Sequence, residues 1–149
     1  MLHAEATELV SVGVDIYNRE QKLAPAAAKS WQALRSTASQ EGVAFLLVSA
    51  FRTLDYQKQI WQRKLAAGET VETIFQVNAP PGYSEHHTGR AVDITTPGCT
   101  PLTEAFEQTA AFAWLHQRAS DFGFTMSYPR NNPFGIVYEP WHWAFSEMI

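Results

Sequence analysis

The sequence predicts an α+β fold: a single domain with a small, mostly antiparallel sheet flanked by helices. Helical periodicities dominate the first part of the chain, and short strand-like runs are interspersed among them and gather towards the end. At 149 residues, with 46% hydrophobic and 13% aromatic side chains, the chain has one domain's length and enough apolar surface for a core.

Taken in order, residues 1–22 read as a peripheral N-terminal element at the edge of the domain, helical over 4–20, with Leu9, Val10, Val12, Val14, Ile16 and Tyr17 as an imperfect apolar face. Pro25 suits the first turn of a second helix over 25–41, where Ala28, Trp31, Leu34, Arg35 and Ala38 recur at three- and four-residue steps and Gly42 follows the end. Residues 43–48 form an apolar run rich in strand formers, read as a buried strand. A polar turn, Ser49–Thr53, then carries Arg52 directly off that strand. Thr53 or Asp55 caps a helix over 55–67, Gly68 closes it, and 70–77 is a further short helix.

Asn78-Ala79-Pro80-Pro81-Gly82 is loop, and residues 89–95 alternate as a strand. A second loop, 97–103, precedes a helix that starts at Thr103 or Thr109 and ends before Gly123. Residues 124–128 read as a strand, 129–135 as a turn-rich loop, and Ile136-Val137-Tyr138 leads into Glu139-Pro140-Trp141-His142-Trp143.

Composition excludes several classes of function. The net charge is −4, with 11 scattered basic against 15 acidic residues, so neither nucleic acid nor an anionic membrane surface is an expected partner. No apolar run approaches the roughly 18 residues a membrane-spanning helix needs. The first twenty residues show no basic start followed by an apolar block, which suits a cytoplasmic protein and equally a periplasmic or wall protein cut after its export signal. A lone cysteine, Cys99, forms no internal disulfide and reads as a small loop or core residue; His3 and His116 read as surface or hydrogen-bonded histidines.

The chemistry gathers in two segments. Pro81–Ile94 packs His86, His87 and Asp93 among small residues, and the second segment adds His142 with Glu139 three residues before it. Two imidazoles and a carboxylate, His86, Asp93 and His142, make a three-ligand set that leaves a catalytic zinc one open position. His87 is the rival of His86, with only one of the two expected to point inward, and sequence barely separates them. On a strand over 89–95, Gly89 and Ala91 share a face with Asp93 and would leave room there for metal and substrate. Glu139 suits a general base, and its spacing from His142 requires an irregular approach, for which Pro140 is suited. Arg52 suits a group that stabilises a developing oxyanion or holds a carboxylate.

Ser84-x-His86-x-x-Gly89-x-Ala91-x-Asp93 followed by Glu139-x-Trp141-His142 closely resembles the VanY-type D-alanyl-D-alanine carboxypeptidases. That zinc peptidase group also includes D,D-dipeptidases, lysostaphin-like and phage wall endopeptidases, and the zinc-bearing domain of Hedgehog. All fixed positions of the ten-residue signature are present. Ser49 to Thr53 with Gln57 resembles a further family stretch, in which Ala50 stands for the usual glycine and Phe51 for the usual tyrosine. The resemblance runs from about residue 23 to 145.

It implies a Hedgehog/D,D-peptidase-like fold and one Zn2+ held by His86, Asp93 and His142, with Glu139 as base. It also implies that Arg52 holds the substrate carbonyl and that Gln57, Ser84 and Trp141 line the terminal D-alanine pocket. Without it, Trp141 reads as core, and Gln57 and Ser84 as surface and loop residues. The implied substrate is a peptidoglycan stem peptide or precursor ending in D-Ala-D-Ala, cut by a monomer. An endopeptidase or D-Ala-D-Ala dipeptidase of the same group is the alternative. The family's phage L-alanyl-D-glutamate enzymes tend to carry Asp where this chain has Glu139, which favours the carboxypeptidase. A non-catalytic zinc module binding a peptide or protein is the alternative of another class, and it has no need of Glu139.

Overall fold

A computed structural model describes residues 1–147. The N-terminal helix expected over residues 4–20, and set over residues 1–22 as a peripheral element, is absent, and a β-hairpin takes its place. Strands β1 (Val10–Val14) and β2 (Glu20–Leu23) pair antiparallel. Gly13 and Asn18 both have positive φ, at 97° and 63°, which a helix does not tolerate. The two-residue alternation of Val10, Val12 and Val14 is the strand signal that competed with the imperfect helical face. Nor is the hairpin peripheral: Val12 and Leu23 are buried in the main core.

Helix α1 (Pro25–Gln40) starts on Pro25 and buries Ala27, Ala28, Trp31, Leu34 and Ala38. That stripe packs on one face of a four-stranded sheet through Phe45, Leu47, Val92, Ile94 and Phe124. Strand β3 is Leu46–Ser49, β4 Ala91–Thr95, β5 Phe124–Met126 and β6 His142–Phe145, in the spatial order β3-β4-β6-β5 and antiparallel throughout. Three of these correspond to runs read from the sequence. Strand β6 does not: the segment was read only as an irregular carrier of His142, yet it is one of the two central strands.

Helices α2 (Leu54–Ala66) and α3 (Val71–Val77) follow β3, each capped by a threonine hydroxyl, Thr53 and Thr70. Helix α4 is Ala110–Arg118, and its cap is Thr109, which accepts from the Phe112 N–H at 3.1 Å; Thr103 instead precedes a separate 3-10 turn, Glu104–Gln108. Gly123 adopts φ 82°, and a Cβ there would lie 2.6 Å from the Ser146 carbonyl oxygen. Cys99 lies half-buried at the margin of the core.

Candidate active site

Sheet register places the first three functional side chains side by side. Ser49 stands opposite Asp93, and Asp93 opposite His142, so β3, β4 and β6 contribute one row across the sheet. The fourth, His86, arrives from a 3-10 turn, Glu85–Thr88, whose cap is the Ser84 hydroxyl accepting from the His86 N–H at 3.2 Å. The His86 and His142 rings meet edge to face with centroids 5.0 Å apart. His86, Asp93 and His142 are buried, and their ligating atoms lie within 4.8 Å of one another.

Hydrogen bonding decides which ring nitrogens face the cluster. The Ala50 carbonyl can only accept, so His86 Nδ1, 2.7 Å away, carries a proton and Nε2 faces Asp93 Oδ2 at 3.2 Å. Burial lowers the His86 pKa more than the Asp93 carboxylate raises it, so Nε2 presents a lone pair to another acceptor. His142 is arranged in mirror fashion: Nε2 lies 2.8 Å from Glu85 Oε1, and Nδ1 lies 2.9 Å from Asp93 Oδ1. Burial would raise the Asp93 pKa, but the charges and bonds of His86 and His142 outweigh it and hold it far below the usual carboxylate range. For His142, burial is opposed by bonds to Asp93 and Glu85, and its pKa is pushed up to about 10. Lone pairs that converge on one buried point call for a positive charge there, a proton or a cation. Two imidazoles with one carboxylate suit zinc with one position open, so the donor set fits that metal.

Around this cluster one cleft is lined by Arg52, Gln57, Lys64, Ser84, Glu139 and Trp141. Arg52 donates through Nε to the Ser49 hydroxyl at 2.9 Å, and at 3.3 Å to both Gln57 Oε1 and Asp93 Oδ2. Those bonds fix the guanidinium and leave one N–H on each terminal nitrogen for the cleft. Gln57 is buried and its amide donates to the Ala79 carbonyl at 2.8 Å, so it braces both Arg52 and the loop across from it. Trp141 lines the cleft and also packs against the core.

Glu139 is buried on the irregular approach to β6, with its backbone N–H donating to the Tyr128 carbonyl and its own carbonyl accepting from the His142 N–H at 3.2 Å. Burial, reinforced by the nearby carboxylates of Asp93 and Glu85 and opposed by His142 and Arg52, pushes its pKa up to about 7.

Two expectations need correction. Both His86 and His87 point inward, and the fully buried His87 serves another end: Nδ1 donates to the Arg52 carbonyl at 2.8 Å, and Nε2 accepts from the Gly82 N–H at 3.1 Å. Nor does Gly89 open space for substrate. It lies before β4, at φ 69°, and a Cβ there would meet the Ala24 backbone nitrogen at 2.9 Å, so its bareness admits the chain entering α1.

Glu85 and Lys64 were among the residues of the site not singled out from the sequence. Glu85 sits at a variable position of the signature, and only its adjacency to His86 marked it. Lys64 lies seven residues after Gln57, two helical turns along the same face, which is a periodic signal.

The sequence profile named VanY and described as D-alanyl-D-alanine carboxypeptidase matches residues 20–148. The putative carboxypeptidase YodJ of Bacillus subtilis is 36% identical over 120 residues, which cover 78% of this chain and 43% of YodJ, so the chain spans less than half of that relative. Among solved structures, the LD-carboxypeptidase LdcB superposes with TM-score 0.84 at 30% identity over 96% of this chain and 70% of LdcB. A mutant of the D,D-pentapeptidase VanY from a VanB-type resistance cassette, in complex with Zn(II), superposes with TM-score 0.72 at 28% identity, covering 93% and 78%.

Proposed function

The chain belongs to the VanY family of D-alanyl-D-alanine carboxypeptidases, and from that premise we propose that it is a zinc-dependent carboxypeptidase that removes the C-terminal D-alanine of peptidoglycan stem peptides. One observation carries the reading: Glu139 and Arg52 open into the same cleft as the His86–Asp93–His142 cluster. Zinc held by His86, Asp93 and His142 would supply Lewis acidity to the scissile carbonyl and to water.

The side chains of the chain do the rest. Glu139, buried and with its pKa pushed up to about 7, takes the proton of the attacking water and passes it to the leaving amine. Arg52, held by Ser49, Gln57 and Asp93, turns its remaining N–H groups towards the oxygen on which negative charge develops. Gln57, Ser84 and Trp141 border the leaving residue. With Arg52 engaged at the reacting carbonyl, Lys64 is a second cationic side chain in the cleft, which suits a substrate with a free terminal carboxylate and favours a carboxypeptidase over an endopeptidase.

The test is release of D-alanine from a synthetic pentapeptide ending in D-Ala-D-Ala, with metal content measured alongside. Release that chelator and Glu139→Ala both abolish supports the reading, and cleavage inside a cross-bridge with the pentapeptide untouched overturns it. The likeness to LdcB supports a second reading, an L,D-carboxypeptidase acting on the tetrapeptide. Comparing tetrapeptide, pentapeptide and free D-Ala-D-Ala separates the two, and a dipeptidase from both. Zinc binding without turnover of any of these would mark a binding module.

A further inference from the structure

Glu85 has a role that the reaction scheme leaves unassigned. Its carboxylate oxygen lies 2.8 Å from His142 Nε2, on the side of the ring facing away from the cluster, and its side chain is 28% exposed against 3% for His142. A carboxylate oxygen at that distance is the acceptor for an Nε2–H of His142.

His142 stands between two carboxylates, with Asp93 Oδ1 2.9 Å from Nδ1. To serve as a metal ligand the imidazole must be neutral, and it then has one proton and two such claimants. If Asp93 holds it, Nδ1 becomes a donor and His142 closes on Asp93 through an internal hydrogen bond, with no lone pair in the cluster. If Glu85 holds it, Nδ1 keeps its lone pair facing His86 Nε2 and Asp93. His86 has the same arrangement, but there the proton is held by the neutral Ala50 carbonyl at 2.7 Å.

We propose that Glu85 is a positioning residue: it retains the His142 proton on Nε2 and so keeps Nδ1 free as a ligand. It acts through His142. Carboxylates behind metal-bound histidines fix the tautomer and ring orientation in this way, and their loss typically lowers metal affinity about 10- to 100-fold.

The inference rests on the zinc site proposed above, and the experiment keeps the two apart. Zinc affinity is measured by competition with a chromophoric chelator for the wild type, Glu85→Ala and Glu85→Gln, together with the His142 Nε2–H proton resonance in the zinc-loaded proteins. A wild type that does not bind zinc refutes the site itself. Given a wild type that binds, the expected result is a zinc Kd weakened about 10- to 100-fold in Glu85→Ala with loss of the Nε2–H resonance. Glu85→Gln, which keeps an acceptor oxygen, should recover part of the affinity and the resonance. Wild-type affinity in Glu85→Ala overturns the proposal, as does weakened affinity with the Nε2–H resonance unchanged. Should Glu85→Ala fail to fold, Glu85→Gln decides: full wild-type affinity and an unaltered resonance overturn the proposal, and weaker affinity with a shifted resonance supports it.

Discussion

Adjacent histidines with similar burial have unlike roles, and single substitutions expose the difference. His86 presents Nε2 to the cluster, whereas both nitrogens of His87 are committed to backbone, bridging the Arg52 carbonyl and the Gly82 N–H. His87→Ala should leave two unpaired buried groups and a void, costing about 2–4 kcal/mol in denaturant unfolding. His86→Ala should cost zinc affinity instead, read by metal content after dialysis. No pattern in Glu-His-His-Thr distinguishes the two; the difference comes from which ring reaches the Ala50 carbonyl and which the Arg52 carbonyl. Glu139→Gln keeps the size of the side chain and removes its basicity. Its kcat should fall by about 100- to 10,000-fold with zinc content unchanged.

At the level of elements, the β1–β2 hairpin is tied to the site. Asp15 accepts from the Tyr17 and Arg19 N–H groups at 2.7 and 3.0 Å and from the Gln21 amide at 2.8 Å. Gln21 Oε1 in turn accepts from the Ala50 N–H at 2.9 Å, and the Ala50 carbonyl holds His86. Burial would raise the Asp15 pKa, but the bonds from Arg19, Gln21 and Tyr17 outweigh it and keep it below the ordinary carboxylate value. A lowered folded-state pKa contributes stability that is complete above the unfolded value, near 4, and lost as pH falls through the folded one. Asp15→Asn should therefore destabilise the protein by about 2 kcal/mol at pH 6, and the gap to wild type should narrow below about pH 4 in urea titrations. This relay was not legible in the sequence, because a turn carboxylate and a strand glutamine reveal nothing of a loop nearly thirty residues away. Helix α2 was legible, and it carries a second prediction. Gln57 and Lys64 face the cleft two turns apart, so Lys64→Ala should raise KM on the order of 10-fold for peptides with a free terminal carboxylate. With the terminus amidated the same substitution should have little effect.

Across the whole molecule, the legible parts were those with a strong local period or a fixed chemical spacing. The stripe of α1, the apolar run around β3 and the alternation of β4 announce themselves, and the ligand residues do so by type and spacing. The hairpin and β6 do not. Residues 10–14 carry a helical face and a strand alternation at once, and β6 follows Pro140 and looks irregular until it pairs with β4 and β5. Yet β6 is what makes the site a property of the entire fold. His142 reaches Asp93 only by lying between β4 and β5, while His86 reaches it only when the signature turn docks on the Ala50 carbonyl. Zinc bound to all three would cross-link β4, β6 and that turn in the native state alone, since in the unfolded chain His142 is far along the sequence from His86 and Asp93. A ligand that binds only the folded state at 100 times its Kd adds about 2.7 kcal/mol. For a chain of this size that is a rise in melting temperature of roughly 5–10 °C. Calorimetry with zinc and with chelator should show that difference in the wild type and its loss in His142→Ala, whereas Glu139→Gln should retain it; a melting temperature indifferent to zinc would separate the cluster from the stability of the fold.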